Sequence, residues 1–310
     1  MRCKVISTLK ICCIVNARSG STGEPFGDVV VKLFAKHGVR AEIIELDKDH
    51  PPTTLAENAV RADYDVIVAA GGDGTINAVA AALVGNKSVK FGVIPRGTLN
   101  HFARALEIPT DMEKAVENII AGHVRIIDVG QVNDRIFVNN SSVGLYASIV
   151  RMRENLQHAG LSKWPAAMLA SIRIFWRYRR LALELVSKTG DAIQYNTSML
   201  FVGNNAYEVS FPTLGARPTL EGGRIWIMMP KSATRAGLIA SFLKMISGLE
   251  SASDAVTMEV TQLTVNSMRR FLKVAIDGEV VQLRSPLKYS SRPKALQVIV
   301  PAPTAQSQQS

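Results

Sequence analysis

Residues 71–75, Gly-Gly-Asp-Gly-Thr, place one carboxylate among three glycines directly after the apolar run DYDVIVAA. The apolar run predicts a buried strand, and the spacing of apolar residues over 76–84 predicts a helix. The turn between them therefore offers the N–H groups and the positive dipole end of a helix, which favour a bound phosphate. Glycines also let a phosphate approach the backbone without meeting a Cβ. Asp73 would repel phosphate unless a divalent cation lay between them, so this turn indicates a metal-nucleotide site.

Two further turns of small residues follow predicted strands. Residues 95–104, PRGTLNHFAR, come after VKFGVI, and residues 16–24, NARSGSTGE, come after the first strand. The alternative for each is a tight turn without a ligand. Residues 71–75 are not a Walker loop, and Asn77 stands where a dinucleotide fingerprint needs its third glycine. Three such turns at successive strand ends favour a nucleotide site, because parallel sheets bind ligands at that edge.

The composition indicates a globular protein with an anionic partner. The chain has 310 residues, 47% of them apolar, and a net charge of +10. The longest uncharged apolar run, WPAAMLASI, is too short for a membrane span. Its three cysteines (Cys3, Cys12 and Cys13) are odd in number and lack partners at metal spacing, which predicts a reduced cytosolic compartment.

The chain predicts two domains. Strands alternate with helices up to about residue 127, which is typical of a Rossmann-like parallel sheet in a nucleotide-binding α/β domain, 1–127. Short strand-like runs then predict a β-rich, mostly antiparallel second domain, 128–301, interrupted by helical stretches at about 145–180 and 233–248. The polar residues 302–310 predict a disordered tail.

A basic stretch at 163–180 could contact a membrane. Arg173, Arg177 and Arg180 fall on one face of a predicted helix beside Phe175 and Trp176, as in helices that lie on an anionic leaflet. The alternative is a solvated basic face over an aromatic core. No nucleic-acid motif accompanies the charge, so a nucleic-acid partner is not expected.

Four carboxylates are candidates for metal binding and proton transfer. A nucleotide site that transfers a phosphoryl group needs charge neutralisation and a proton acceptor, so Asp73 and Asp128 are candidates for holding a metal, and Asp73, Asp277 and Glu279 for catalysis. Two alternatives remain open: residues 277–279, Asp-Gly-Glu, could be only a hairpin turn, and Asp128 could be only the end of an element.

Several motifs together resemble the catalytic family of diacylglycerol kinases, particularly its bacterial soluble lipid kinases. They are NARSG, GGDGT-IN, PRGTLNHFAR-LEIP, IIDVG with FVNNSSVG, and the late DGE. GGDGT alone is shared with NAD kinases and, more loosely, with phosphofructokinases. The resemblance implies an active site in the cleft between the two domains. It also implies transfer of a phosphoryl group from ATP with Mg²⁺ to a lipid hydroxyl.

The resemblance also implies roles for individual residues. Asp277 and Glu279 would present carboxylates from the second domain. The expected nucleotide-binding residues are Asn16, Ser19, Gly20, Gly71, Gly72, Gly74, Thr75, Thr98 and Asn100. The sequence departs from the family at Ala17, at Leu99 and His101, and at Gly222 and Trp226, where family members carry acids that help hold a structural metal. We therefore expect no tightly held structural metal beside Glu221.

The sequence as a whole predicts a cytoplasmic, peripherally membrane-associated lipid kinase that uses ATP and Mg²⁺ on an acceptor such as diacylglycerol. One alternative is an NAD kinase-like enzyme, and another is a nucleotide-binding regulator without catalytic activity. The identity of the lipid stays open, and an oligomer is possible.

Overall fold

The computed structural model describes residues 9–16, 25–47, 49–145, 180–188, 190–208, 216–231, 234, 237 and 255–302. The chain divides into two compact units, Met1–Ile127 with Lys294–Ser310, and Asp128–Pro293. The helices predicted at about 145–180 and 233–248 lie almost wholly outside the described residues, and so does the predicted tail. Within the described ranges, no helix has the length and apolar character to cross a membrane.

The first unit alternates strands and helices. Its elements are β1 (Ile11–Val15), α1 (Phe26–Lys36), β2 (Ala41–Glu45), α2 (Pro52–Arg61), β3 (Val66–Gly71), α3 (Asp73–Leu83), β4 (Lys90–Pro95), α4 (His101–Ala105) and α5 (Met112–Ala121).

The strands of the first unit form a parallel sheet in the order β2-β1-β3-β4. Every residue of β1 and β3 is buried, as expected for central strands of a parallel sheet with both faces covered. Apolar residues of α1 and α5, among them Phe34 and Ile119, pack against these strands in one core. The sheet therefore brings the carboxyl ends of β1, β3 and β4 to one edge.

The second unit is built almost entirely of strands. They are β5 (Val124–Val132), which begins in the first unit, β6 (Arg135–Phe137), β7 (Asn140–Gly144), β8 (Leu181–Ser187), β9 (Ala192–Thr197), β10 (Met199–Asn204), β11 (Ile225–Pro230), β12 (Ala255–Val260), β13 (Gln262–Ser267), β14 (Phe271–Ile276), β15 (Glu279–Arg284) and β16 (Leu287–Ile299).

Two antiparallel sheets make up this unit. One has the order β12-β11-β10-β7-β14-β15, and the other includes β9-β8-β13 with the first part of β16. Buried residues of both sheets, such as Val202 and Val265, share one apolar core. The predicted fold class, an α/β unit with a parallel sheet and a mostly antiparallel β-rich unit, is confirmed.

Two stretches of strand-like sequence are each divided between two strands, and the predicted end of the second domain also differs from the structure. The run 136–144 is divided between β6 and β7, because the backbone of residues 138–140 turns its N–H groups toward a carboxylate. The run 255–265 is divided between β12 and β13, which belong to different sheets. The predicted second domain extends to residue 301, whereas Lys294–Ser310 belongs to the first unit, where Val298 of β16 pairs in parallel with Phe91 of β4.

Candidate nucleotide site

The turn after β3 opens a helix at its aspartate. Gly72 is the N-cap of α3, and the first helical hydrogen bond runs from Ile76 N–H to Gly72 O at 3.1 Å. The N–H groups of residues 73–75 therefore precede the helical ladder, where they have no acceptor within the helix. This is the arrangement that accommodates an anion, and it begins three residues earlier than the predicted helix.

Glycine is required at two positions of this edge because the backbone and small side chains come very close. A Cβ added to Gly97 would lie 3.2 Å from Gly72 Cα and 2.7 Å from Asn100 Oδ1. A Cβ on Gly71 would lie 3.1 Å from Asn16 Cβ and about as close to Thr75. The turns after β3 and β4 thus contact each other, and larger residues would separate them.

Asn100 joins the two turns by hydrogen bonds. It adopts the left-handed conformation (φ 49°, ψ 45°), its side-chain oxygen accepts from Gly97 N–H at 2.8 Å, and its own N–H donates to Asp73 Oδ2 at 3.0 Å. Asparagine tolerates this conformation better than most residues, which accounts for its type at this position. Asn100 therefore fixes the orientation of the Asp73 carboxylate.

The other oxygen of Asp73 has no partner. Oδ1 is buried and accepts no hydrogen bond in the structure. A buried, unpaired carboxylate oxygen is unfavourable on its own and needs an explanation, such as an ion or donor that binds there. Mg²⁺ prefers carboxylate oxygens and usually keeps waters and substrate phosphates as further ligands. The environment of Asp73 at the start of α3 therefore fits a magnesium ion accompanying a nucleotide.

Of the other residues expected to bind the nucleotide, some lie at this edge of the sheet and some lie outside the described residues. Asn16 follows β1, and its Nδ2 donates to Thr75 Oγ1 at 3.1 Å. This hydrogen bond joins the turn after β1 to the turn after β3. Gly74 and Thr98 are exposed at the same edge. Ser19 and Gly20 lie outside the described residues, as does Ala17. The structure thus brings together Asn16, residues 71–75, Gly97 and Asn100 from three successive strand ends.

The carboxylates of residues 277–279 have unlike environments. Asp277 and Gly278 form the two-residue turn between β14 and β15, both with positive φ (47° and 91°), and Ile276 pairs with Glu279. The hairpin alternative is thus the observed geometry, since a turn of this type needs positive φ at both positions. Glu279 is exposed at the first position of β15.

Asp277 is held by the backbone of the preceding strand connection. Its Oδ2 accepts from Val138 N–H at 2.8 Å, and its Oδ1 accepts from Asn139 N–H at 2.8 Å and Asn140 N–H at 3.0 Å. Burial raises the pKa of Asp277 to about 6, while these three donors and the nearby Arg217 act to lower it. Both oxygens are engaged, so this carboxylate fixes the hairpin against β7.

Asp128 is buried in the second unit and is likewise bound to protein groups. Its Oδ2 accepts from Gly223 N–H at 2.6 Å and from Asn205 Nδ2 at 3.2 Å. Its metal role stays a prediction. Among the expected departures from the family, Gly222 lies against Asn205 and Trp226 stacks on Tyr207.

Sequence reasoning missed two arginines, one in each unit. Arg217 donates to Val138 O at 2.7 Å and to Asn139 Oδ1 at 2.9 Å, which supports the connection that binds Asp277. The guanidinium of Arg96 lies 3.9 Å from the centre of the Phe26 ring, directly after β4. The local sequence of Arg217, GARPT, carries no motif that could have identified it. Arg173 and Arg177 of the predicted membrane helix lie outside the described residues.

Comparison with known proteins connects the first unit to a family. The family model "Diacylglycerol kinase catalytic domain" matches residues 10–132, which contain all three turns. Residues 10–132 are therefore similar to the diacylglycerol kinase catalytic domain. The predicted resemblance is confirmed over this segment.

Relatives and solved structures extend the comparison. The diacylglycerol kinase of Staphylococcus haemolyticus is 40% identical over 118 residues, which are 38% of this chain and 36% of that protein. The match thus spans little more than a third of the relative's length. A diacylglycerol kinase from Bacillus anthracis has the same fold, with a TM-score of 0.68, 18% identity and coverage of 94% of this chain and 97% of that one.

An NAD kinase from Archaeoglobus fulgidus, solved in complex with ATP, is more distant. Its TM-score is 0.52 at 13% identity, covering 93% of this chain and 92% of that one. At these identities both structural likenesses concern the fold. The segment 10–132, which matches the diacylglycerol kinase model, therefore lies within a fold that this diacylglycerol kinase and this NAD kinase share.

Proposed function

We propose that the chain is a lipid kinase that transfers the γ-phosphate of ATP to the hydroxyl of a lipid acceptor such as diacylglycerol. The observation that carries the proposal is the Asp73 carboxylate, oriented by Asn100, with one buried oxygen unpaired at the N-terminus of α3. The family match over residues 10–132 includes this group. A ligand that is both anionic and metal-bearing, such as ATP with Mg²⁺, suits it.

The residues of this chain would have the following roles in the reaction. The N–H groups at the start of α3 bind phosphate oxygens, and Asp73 holds Mg²⁺, which when bound neutralises charge on the transferring phosphoryl group. Glu279 accepts the proton of the acceptor hydroxyl while the hydroxyl oxygen bonds to the γ-phosphorus and ADP departs. Asp277 positions Glu279 by fixing the hairpin, since its own oxygens are occupied by three N–H donors.

The test is transfer of label from γ-labelled ATP. Purified protein is incubated with ATP and Mg²⁺ and a total lipid extract, with diacylglycerol vesicles and with NAD in separate reactions. We expect label in a chloroform-soluble phosphate monoester with lipid but not in NAD, and loss of that label in Asp73→Asn. Asp28→Asn is the matched control, because Asp28 is an exposed aspartate in the first turn of α1.

Two results would contradict the proposal, and each would support a different function. Label in NAD alone would identify an NAD kinase, as the shared fold allows. Saturable ATP binding without transfer to any acceptor would identify a nucleotide-binding regulator. Thermal unfolding of each variant shows whether a loss of activity comes from loss of the fold.

A further inference from the structure

The turn between β13 and β14 exposes large apolar side chains. Met268 is 96% exposed and Phe271 is 48% exposed, although each could have been buried in a well-packed sheet. Leu272, the next residue of β14, is buried. A single exposed apolar residue is ordinary, but two within four positions in the connection between β13 and β14, which belong to different sheets, suggest a contact surface.

Basic residues surround these two side chains. Arg269 and Arg270 are exposed in the turn, and the Arg270 guanidinium lies 5.6 Å from the centre of the Phe271 ring. Phe271 pairs with Arg284 across the hairpin, and Lys273 follows two residues later on the same exposed face. The five residues Met268–Phe271 and Lys273 are called here the 268–273 surface, with Arg284 beside them.

Acidic residues are sparse near this surface. Between residues 260 and 310 the sequence has two acids, Asp277 and Glu279. They lie at the turn of the β14–β15 hairpin. Five residue steps along β14 separate this turn from Phe271, a distance of about 17 Å. Glu184, which lies closer, accepts a hydrogen bond from Asn266 Nδ2 at 2.7 Å. Glu184 keeps its negative charge, because its donor is a neutral amide, but in the part of the chain that the structure describes the three basic residues of the surface and Arg284 outnumber it.

The turn is held in shape by hydrogen bonds. Ser267 N–H donates to Ser285 Oγ at 3.1 Å, Ser285 N–H donates to Arg270 O at 3.0 Å, and Arg269 N–H donates to Ser267 Oγ at 3.2 Å. A tip fixed in this way presents Met268 and Phe271 to solvent continuously, so little order has to be gained when a partner binds.

We propose that the 268–273 surface docks on an anionic lipid surface. Methionine and phenylalanine enter the boundary between headgroups and acyl chains, while the surrounding Arg and Lys bind lipid phosphates. Charge complementarity favours this occupant over a second copy of the chain, which would set the same basic residues against each other. The exposed apolar side chains of Met268 and Phe271 favour lipid over nucleic acid as the partner.

The experiment is cosedimentation of the full chain with vesicles, without ATP or acceptor, so its outcome is independent of the proposed kinase activity. Vesicles of phosphatidylcholine with and without phosphatidylglycerol are compared. We expect binding to the anionic vesicles only. Each basic side chain near an anionic leaflet contributes about fivefold in affinity, so the triple variant Arg269→Gln, Arg270→Gln, Lys273→Gln should bind at least about tenfold more weakly.

A matched control separates the surface from overall charge. The triple variant Arg40→Gln, Lys87→Gln, Lys114→Gln removes three exposed basic residues from the first unit and changes the net charge equally. It should retain wild-type binding. The double variant Met268→Ser, Phe271→Ser should lower binding without altering the net charge.

Three outcomes would overturn the proposal. Equal losses in both triple variants would mean that total charge alone determines binding. Unchanged binding in the double variant would show that Met268 and Phe271 do not contact the lipid. A change in the oligomeric state of that variant, measured by sedimentation with vesicle binding unaffected, would assign the surface to a second copy. Thermal unfolding confirms that each variant is folded.

Discussion

Two turns of this protein combine aspartate with glycine, and they use the aspartate in opposite ways. In the first unit, Asp73 receives one hydrogen bond from Asn100 and keeps a buried oxygen without a partner. In the second unit, Asp277 receives three backbone hydrogen bonds that occupy both oxygens.

The difference separates a binding carboxylate from a structural one. Backbone donors satisfy Asp277, so its loss should affect folding before it affects chemistry. Asp73 contributes little bonding to the fold, and its unpaired oxygen is stabilised only when a ligand arrives. Residue type and neighbouring glycines were the same in both turns, and hydrogen-bond partners distinguish them.

The largest effect is expected at Asp73. Asp73→Asn should lower transfer activity about 100- to 1,000-fold, because the charge that organises the metal is lost from the site of phosphoryl transfer. Stability should stay within about 0.5 kcal/mol, since the asparagine oxygen can still accept from Asn100 N–H. The measurement is initial rate of label transfer together with thermal unfolding. Activity above about a tenth of wild type would remove Asp73 from the mechanism.

The next effect is on stability, at Asp277. Asp277→Ala leaves three backbone N–H groups without their acceptor and should lower the free energy of unfolding by about 3 kcal/mol. Urea unfolding measures it. The matched control is Asp134→Ala, an exposed aspartate in the two-residue turn between β5 and β6. If both variants unfold at the same urea concentration, the comparison between the two turns fails.

The sequence predicted the edge of the parallel sheet well because its signals are local. Strand periodicity, glycine turns and their succession along the chain are all visible within a few residues. Helix α5 was equally visible, with Asp111 as its N-cap and Gly122 in the left-handed conformation at its end, yet it was not predicted.

The partners of Asp277 could not be predicted in the same way. Its donors lie more than 130 positions earlier in the chain, and Arg217 lies 60 positions earlier. The sequence therefore left both alternatives open, a hairpin turn and a catalytic carboxylate. Contacts at such separations depend on how β7 and β14 pair, which no local motif specifies.

A substitution at Glu279 tests whether a catalytic carboxylate lies beside the structural Asp277. Glu279→Gln should lower kcat about 100-fold with ATP affinity unchanged, because a general base is removed while the hairpin held by Asp277 remains. Steady-state rates and direct nucleotide binding measure the two quantities. Glu259→Gln, an exposed glutamate on β12, is the matched control and should be neutral. An unchanged kcat would transfer the base role to another carboxylate.

The smallest effect concerns pH and tests whether the buried charge of Asp277 is fully compensated. Burial raises its pKa to about 6, above the value of about 4 in an unfolded chain. Between about pH 4 and about pH 6 the native state therefore retains a proton that the unfolded state has released. The free energy of unfolding then falls as pH rises through this window.

We expect a fall of about 1–2 kcal/mol from this group, since a pKa difference of this size corresponds to at most about 3 kcal/mol. The measurement is urea unfolding across the window for wild type and for Asp277→Asn, which cannot titrate there. Subtracting the two curves cancels other titrating groups, including the exposed pair His50 and Asp47. A difference that stays constant with pH would mean that the three backbone donors offset burial completely. A difference of opposite sign would mean that they stabilise the charged form, and Asp277 would then support the fold most strongly at neutral pH.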